Sequence, residues 1–331
     1  LDGWVFRRGG DWAELDDYLG GFELTEKEMA DWLDFFEGRK QWAEAHGALY
    51  IQLVSSVKAQ IECDKVFPSI RNHRGVSMRE QLQKRLAGSP TARHMVFTHD
   101  CLTEAAAKRE VFYPEDHHVN AYGIYLLYNE LVKRLSDWFP GIAAVPFYDH
   151  PPEAVLKGTQ AGCYEKDRRL VVVVPGSKQV DHPTLAVAAT RFHFPMVGIA
   201  VKQPGAERSI VMGNDSMMRY ALSSWNRNEG GKVAFPFGAG FDDIVSLIFL
   251  RFSTGQLDYV VSEKVPDVII EQFAECKLSL GTFGLDTPIR RAAEFERGVP
   301  LEGKPKKGET VLPRCVLDDV TDESGKTKFV R

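Results

Sequence analysis

Apolar positions recur with two different periods along the first 140 residues of the chain. Helical spacing follows three start signals: a T-x-x-E capping box at Thr25, an S-x-x-E capping box at Ser77 and a cap residue at Asn120. Short apolar runs at 48–56 and 94–98 lie between these segments and have the length of buried strands. Helices that alternate with short apolar strands indicate an α/β sheet covered by helices on both faces.

The pattern changes after residue 140. Prolines and short β-rich runs fill 141–205 without a helical period, and alternation then resumes with a strand (SIVM), a helix from Ser216, a helical pair over 242–263 and a strand in PDVIIEQF. The last segment is polar and charged. We therefore predict one α/β domain over 1–300 with a β-rich insertion at 141–205, and a polar tail or linker at 301–331.

Charge argues against a nucleic-acid partner, and hydropathy argues against a membrane span. The net charge is -5, and Lys and Arg form no dense stripe, so we expect no nucleic-acid partner. The longest apolar runs, LVVVV and IVSLIFL, are much shorter than the roughly 20 residues that cross a bilayer. We expect no membrane span in this chain.

The chain begins at Leu1, so we expect it to belong to a longer product whose signal or anchor has been removed. The cysteines lack CxxC spacing, which argues against a zinc site or a redox pair. One or two disulfides would fit an oxidising compartment, and free thiols would fit a cytosol. The five are Cys63, Cys101, Cys163, Cys276 and Cys315.

Titratable side chains crowd ahead of the helix that Asn120 begins, in the stretch PEDHHVNAYG. If the approach to the helix is extended, Asp116 and His118 point to one face and His117 to the other. A carboxylate can then accept the Nδ1 proton of His118 and leave Nε2 as a general base. The competing interpretation is that these residues only cap and hydrate the start of a helix.

A candidate nucleophile lies in SIVMGNDSMM. An apolar strand, a tight turn at 213–215 and a helix from Ser216 would expose the serine hydroxyl at a helix N-terminus, where backbone N–H groups stabilise an oxyanion. Asn, Asp and Ser are also ordinary turn and cap residues, so the turn alone is weak. Together with Asp116 and His118, however, Ser216 completes a Ser-His-Asp set. Ser209 is the next serine to consider.

A metal site is the weaker alternative. Five further side chains could join His117 as ligands, but their spacing is irregular. We therefore expect neither a metal nor a dissociable cofactor. These five are His99, Asp100, His150, Asp181 and His182.

Five sequence blocks in order carry a family resemblance. They are LDGWVFRRGGD with DYLGGFELTEKEM, LVSSVKAQIECDKVFP, YPEDHHVNAYG, VMGNDSM and KVPDVIIEQF, which together span roughly residues 2–280. They resemble the AlgX/AlgJ-like, or DHHW-type, SGNH hydrolase-like family of bacterial polysaccharide O-acetyltransferases. The resemblance implies an SGNH hydrolase-like sheet flanked by helices, with the Asp-x-His preceding the serine in sequence.

Residue by residue, the resemblance implies Asp116 and His118 as the family's Asp-x-His and Ser216 as its serine. Gly213, Asn214 and Lys58 become candidates for oxyanion or substrate contacts; Lys58 matches a recurrent lysine after the first core strand. Two positions depart from the family pattern: Val119 replaces the usual tryptophan, and the turn carries one extra residue, as GNDS.

The implied activity is O-acetyl transfer to a bacterial polysaccharide through an acetyl-serine. The implied partners are the polysaccharide and an acetyl donor, with a membrane acetyltransferase as one such donor. The implied location is periplasmic or otherwise extracytoplasmic, where up to four of the five cysteines would pair. Two alternatives stay open: a carbohydrate acetylesterase with the same mechanism, and a non-catalytic polysaccharide-binding or assembly protein.

Overall fold

The structure, a computed structural model, describes residues 3–8, 13–180, 198–202, 207–215, 217, 241, 243–248, 265–281, 320–321 and 327–328. In these ranges the α-helices are α1 (Glu14–Tyr18), α2 (Glu26–Ala45), α3 (Lys58–Ile61), α4 (Pro68–Arg71), α5 (Met78–Leu86), α6 (His99–Ala106), α7 (Ala121–Leu135) and α8 (Glu153–Leu156). The strands are β1 (Leu49–Ser55), β2 (Met95–Phe97), β3 (Phe147–Tyr148), β4 (Gly162–Lys166), β5 (Arg169–Val173), β6 (Lys178–Gln179), β7 (Gly198–Lys202), β8 (Ser209–Asn214), β9 (Asp243–Ile248), β10 (Val268–Ala274), β11 (Val320–Thr321) and β12 (Thr327–Lys328). Short 3₁₀ helices cover Cys63–Lys65, Pro90–His94 and Glu275–Leu280.

Seven strands form the main sheet in the order β2-β1-β10-β8-β9-β7-β6. The first five are parallel, and β7 and β6 are added antiparallel. The predicted α/β class with a sheet flanked by helices is confirmed. Since parallel strands end at the same edge, the segments that follow β1, β10 and β8 meet there.

The core lies on both faces of the central strands. Val54 and Phe273 pack with Trp32 of α2, whereas Leu53 and Ile270 belong to the cluster that α7 covers. Neighbouring residues of one strand thus point to opposite faces of the sheet. Because both faces are buried, the sequences of such strands are continuous apolar runs.

The helix starts predicted at Thr25, Ser77 and Asn120 are confirmed. The side chains of Thr25 and Ser77 each accept the N–H of the glutamate three residues on, with the reciprocal bond present in both boxes. The Asn120 side chain accepts the N–H of Gly123 at 2.9 Å and begins α7.

The helical pair predicted over 242–263 is wrong where the structure describes it, because β9 occupies Asp243–Ile248. A run of six apolar and polar residues satisfies a buried strand as well as a helix turn, and only pairing with β8 and β7 decides between them.

The region predicted as an insertion divides between two sheets. Strands β3, β4 and β5 form a separate three-stranded sheet, whereas β6 and β7 belong to the main one. Of the predicted tail at 301–331, the structure describes only the antiparallel pair β11 and β12.

Within the described ranges, no helix combines the length and the apolar character that crossing a bilayer requires.

The cysteines depart from the prediction that up to four of the five pair. Four of them, Cys63, Cys101, Cys163 and Cys276, are free thiols. Cys315 lies outside the described residues. Burial raises the pKa of Cys101 to about 12 and raises that of Cys163 as well, which makes both weak nucleophiles.

Gly123 allows a close backbone approach in the first turn of α7. A Cβ at this position would lie 2.4 Å from the carbonyl oxygen of Val111 and 2.9 Å from Cβ of Val119. We expect Gly123→Ala to lower the free energy of unfolding by about 1–3 kcal/mol through overpacking, although alanine is the better helix former.

Gly38 provides the matched control, since it lies in α2 and a Cβ there would meet nothing within 4 Å. Gly38→Ala should raise stability by about 0.5–1 kcal/mol. Urea unfolding of both variants measures the contrast, and a stabilising Gly123→Ala would show that the close approach is unimportant.

Candidate active site

The Asp-His-His segment lies in a closed loop between α6 and α7. Phe112 and Val119 form an antiparallel bridge at its base, and the N–H of Tyr113 donates to the carbonyl of His118 at 3.2 Å. The N–H of Asp116 donates to the carbonyl of Tyr113 at 3.3 Å. Residues 112–119, the histidine loop, therefore turn back on themselves before α7 begins.

Asp116 and His118 form the predicted pair. Nδ1 of His118 lies 2.9 Å from Oδ1 of Asp116 in a hydrogen bond. The backbone N–H of His118 donates to the same oxygen at 3.4 Å. This arrangement fixes the imidazole with Nε2 directed away from the carboxylate, as a general base requires.

The prediction that His117 points away is wrong. Its Nδ1 lies 3.0 Å from the same Oδ1 of Asp116, and the two imidazole centroids are 3.8 Å apart. The alternation argument assumed extended backbone, but residues 114–118 form turns and bends in which adjacent side chains can converge. Asp116 thus lies close to both imidazoles and forms its hydrogen bond with His118.

Charge states differ across this cluster. Burial disfavours the carboxylate, but the charge of His118 and its hydrogen bond outweigh burial and hold the pKa of Asp116 below its ordinary value. Burial, together with the charges of His118 and Arg7, lowers the pKa of His117 to about 3. At neutral pH the site therefore combines an ionised Asp116 with an uncharged His117.

Lys58, the first residue of α3, binds the backbone of the histidine loop through its side chain. Its side chain is fully buried, and Nζ donates to three loop carbonyls, those of Tyr113, Pro114 and Asp116, at 3.0, 2.7 and 2.9 Å. The sequence places Lys58 directly after β1, so the histidine loop is anchored at the carboxyl edge of the sheet.

The strand that leads to the candidate nucleophile ends at the same edge. Gly213 and Asn214 are the last residues of β8, so the tight turn predicted over 213–215 is wrong at these two positions. Asp215 is buried; its Oδ1 accepts the N–H of Met217 at 2.8 Å and its Oδ2 accepts the N–H of Ala274 at 2.7 Å. The carboxylate thereby connects the residues on both sides of position 216 to the end of β10.

Ser216 itself lies outside the described residues, so its distance to His118 stays a prediction. The ends of β1 and β8 are separated by β10 alone, or roughly 10 Å at about 4.8 Å per strand. Burial raises the pKa of Asp215, and the positive charge of Lys277 opposes that rise; the same charge adds to the lowering of the pKa of His117 by burial. The histidine loop and the residue before Ser216 thus lie within range of one charge.

Two other serines, Ser209 and Ser56, lie at opposite edges of the main sheet. Ser209, the alternative nucleophile, lies at the opposite end of β8, where its hydroxyl donates to Asp267 at 3.1 Å. Ser56 follows β1 at the carboxyl edge, is fully buried and donates its N–H to Thr98 Oγ1 at 3.1 Å. Sequence analysis missed Ser56, because no motif marks it.

A buried ionic cluster lies behind this edge. Nε of Arg79 lies 2.9 Å from Oε2 of Glu275, and Oε1 of Glu275 accepts the N–H of Val57 at 2.9 Å. Asp17 accepts the N–H of Met78 at 2.8 Å and is also affected by the charge of Arg79. Two buried carboxylates sharing one arginine are expected to retain a proton between them.

This cluster predicts a pH dependence of stability. Burial, followed by the charge of Asp17, raises the pKa of Glu275 to about 8, and burial raises that of Asp17 to about 6. The folded chain keeps these protons to higher pH than the unfolded chain, so the stabilisation is complete below about pH 4 and lost as pH rises through 6 to 8. Between pH 6.5 and 8 we expect the free energy of unfolding to fall by about 1–2 kcal/mol.

Urea titrations at several pH values measure this slope. Buried His117 and His99, whose pKa values are lowered by burial to about 3 and about 4, give the opposite dependence only below about pH 6.5. Glu275→Gln should remove at least half of the slope, and an unchanged slope in that variant would contradict the assignment.

A metal is the remaining option for the histidine loop. Asp116, His117 and His118 each offer one ligand atom, and these atoms lie within 4.8 Å of one another. In the part of the chain that the structure describes, His99 and His150 are not members of this group, and Asp181 and His182 lie outside that part. A metal would compete with His118 for the carboxylate oxygen that orients its ring.

A cavity of about 460 Å³ opens beside the histidine loop. The tip of the β4–β5 turn reaches the loop here: the Tyr113 hydroxyl donates to the carbonyl of Arg168, and the Arg168 guanidinium lies 4.3 Å over the Tyr113 ring. Its walls include Arg109, Tyr113, Pro114, Asn120, Glu165 and Arg168.

Comparisons with known proteins give structural neighbours only. No family model and no curated protein matches the chain. The O-acetyltransferase domain of Pseudomonas putida AlgJ is similar, with a TM-score of 0.48 and 13% identity over 90% of this chain and 97% of that chain. Bacillus cereus PatB1 with a sulfonyl adduct gives a TM-score of 0.48 and 11% identity over 84% and 96%.

A DHHW family protein from Eubacterium siraeum gives a TM-score of 0.47 and 11% identity over 84% of this chain and 90% of that chain. The AlgJ domain and the DHHW family protein carry names of the family that the sequence blocks resemble. With identities of 11–13% and TM-scores below 0.5, they do not assign a function, and the chemistry must come from the site itself.

Proposed function

We propose that the chain is a serine-dependent O-acyltransferase that transfers acetyl groups to a bacterial polysaccharide, with Ser216, His118 and Asp116 as its triad. The observation that carries the proposal is the 2.9 Å hydrogen bond between His118 Nδ1 and Asp116 Oδ1. It lies on a loop anchored at the sheet edge where β8 leads into Ser216. The resemblance to polysaccharide O-acetyltransferases supports the choice of substrate class.

In the first half-reaction, His118 Nε2 accepts the proton of the Ser216 hydroxyl as Oγ attacks the acetyl carbonyl carbon of the donor. The ionised Asp116 stabilises the imidazolium that forms. The oxyanion then collapses, the bond from the acetyl carbon to the donor breaks, and His118 returns its proton to the leaving group. Acetyl-serine is left on the chain.

In the second half-reaction, a sugar hydroxyl gives its proton to His118 and attacks the acetyl-serine carbonyl. The bond to Ser216 Oγ breaks, Oγ regains the proton, and the acetylated sugar leaves. Gly213 and Asn214, at the end of β8, stay candidates for the backbone around the oxyanion. No step uses a metal or a dissociable cofactor.

Water can replace the sugar in the second half-reaction, which would make the chain an esterase. The cavity beside the histidine loop, with its paired arginine and carboxylate side chains, offers an acceptor room and hydrogen-bond partners. We therefore favour transfer to a sugar over hydrolysis. We also propose an extracytoplasmic location, as the family resemblance implies.

The test is covalent trapping followed by a transfer assay. The chain is incubated with an aryl sulfonyl fluoride or p-nitrophenyl acetate, and peptide mass spectrometry locates the adduct. Modification of Ser216 and acetylation of an added oligosaccharide support the proposal. No adduct and no turnover would favour a non-catalytic polysaccharide-binding protein, and loss of turnover with EDTA would favour a metal at the histidine loop.

A further inference from the structure

Lys58 uses its whole hydrogen-bonding capacity on the histidine loop. An ammonium group has three N–H donors, and here they serve the carbonyls of Tyr113, Pro114 and Asp116. The side chain is fully buried. Its charge is therefore directed at the backbone that carries Asp116, and not at a substrate.

Residues 4–6, the N-terminal strap, pack against the ammonium group of Lys58. The rings of Trp4 and Phe6 each lie 5.1 Å from Lys58 Nζ, at a cation–π distance. The N–H of Val5 donates at 2.8 Å to the carbonyl of Pro114, which Lys58 also binds. Strap and lysine thus hold the same peptide group from two directions.

We propose that Lys58 and the N-terminal strap form a clamp that sets the position of the Asp116–His118 pair, which makes Lys58 a positioning residue of the reaction. The inference rests on the proposed function for its catalytic meaning. Lys58 binds the carbonyl of Asp116 itself, so releasing it lets the peptide rotate and moves the carboxylate that orients His118. A shift of about 1 Å at such a pair can lower a rate about 100-fold.

The cationic form of Lys58 persists at neutral pH, although its pKa is lowered. Burial lowers its pKa to about 8, while the carboxylates of Glu14 and Asp116 oppose that effect. Glu14 is itself buried, and burial raises its pKa to about 7. The ammonium form therefore persists at neutral pH, where its three donors are needed.

The test compares Lys58→Met with Lys65→Met in the full chain. Lys65 is a surface lysine paired with Asp64 at 2.6 Å and serves as the control. With p-nitrophenyl acetate we expect Lys58→Met to lower kcat about 100-fold with KM within about twofold, since the clamp acts on the base and not on binding. The imidazole signals of His118 in ¹H–¹⁵N NMR should shift, and Lys65→Met should change neither.

A second pair of variants covers a Lys58→Met chain that does not fold. The side chain of Val5 is 42% exposed. Val5→Pro removes the backbone N–H donor of this residue, whereas Val5→Ala keeps that donor. Val5→Pro should lower kcat about tenfold and shift the His118 signals, while Val5→Ala should match wild type.

Three outcomes overturn the clamp: unchanged kcat and imidazole signals in Lys58→Met, a raised KM with unchanged kcat, or Val5→Pro identical to Val5→Ala. A wild-type chain without turnover whose His118 signals still shift in Lys58→Met would refute the proposed function and leave the clamp standing.

Discussion

Ser216→Ala and His118→Ala should each lower acetyl-ester turnover by about 10⁵-fold or more, and the double variant should lose little beyond either single change. The reason is that proton transfer and nucleophilic attack belong to one step, which fails when either group is missing. Asp116→Ala should be milder, at about 10⁴-fold, because a minority of imidazole still adopts the required tautomer. Burst and steady-state kinetics with p-nitrophenyl acetate measure all four variants.

The neighbouring residues provide the controls. His117 touches the same carboxylate oxygen as His118, so His117→Ala tests which imidazole is the base; we expect a loss of about tenfold at most. Ser56→Ala tests the other serine at this edge and should retain most of the activity. Additive losses in the Ser216 and His118 double variant, or a larger loss in His117→Ala than in His118→Ala, would contradict the assignment.

Arg79→Met should cost about 3 kcal/mol of the free energy of unfolding at about pH 8.5, above the pKa of Glu275. The substitution leaves Glu275 and Asp17 buried without their shared cation, while the apolar side chain keeps most of the volume. The deficit should shrink near pH 5, where both carboxylates can hold protons at little cost. Urea unfolding at the two pH values measures it.

Two variants sharpen this experiment. Adding Glu275→Gln to Arg79→Met should restore part of the stability, because the amide still accepts the Val57 N–H and carries no charge. Arg85→Met in the same helix removes an exposed arginine from a weak pair with Glu26 and should change stability by less than about 0.5 kcal/mol. Equal losses in Arg79→Met and Arg85→Met would show that the buried pair contributes nothing specific.

The helices that sequence analysis located correctly have local start signals. Caps at Thr25, Ser77 and Asn120 act within three or four residues, so the helices after them could be located from the sequence. Strand β9 could not, since its identity depends on neighbours from distant parts of the chain.

The site was predictable to a similar extent. The predicted pairing of Asp116 with His118 is present, but the extended backbone from which it was argued is not, since residues 114–118 form turns and bends. His117 reaches the same oxygen because residues 114–118 turn, and Lys58 binds the carbonyl of Asp116 from 58 residues away. Local alternation contains no information about such a contact, so the role of Lys58 was also visible only in the structure.

The pairing of β1 with β10 has a consequence for how the chain acquires its shape. Gln52 of β1 binds the backbone of Glu271 in β10, which is 219 residues later in the sequence. Until β10 leaves the ribosome, the edges of β1 and β8 that pair with it stay open. Folding dominated by such distant parallel pairings is slow and exposes intermediates to aggregation. We therefore expect the carboxyl edge of the central strands to be among the last parts of the sheet to assemble.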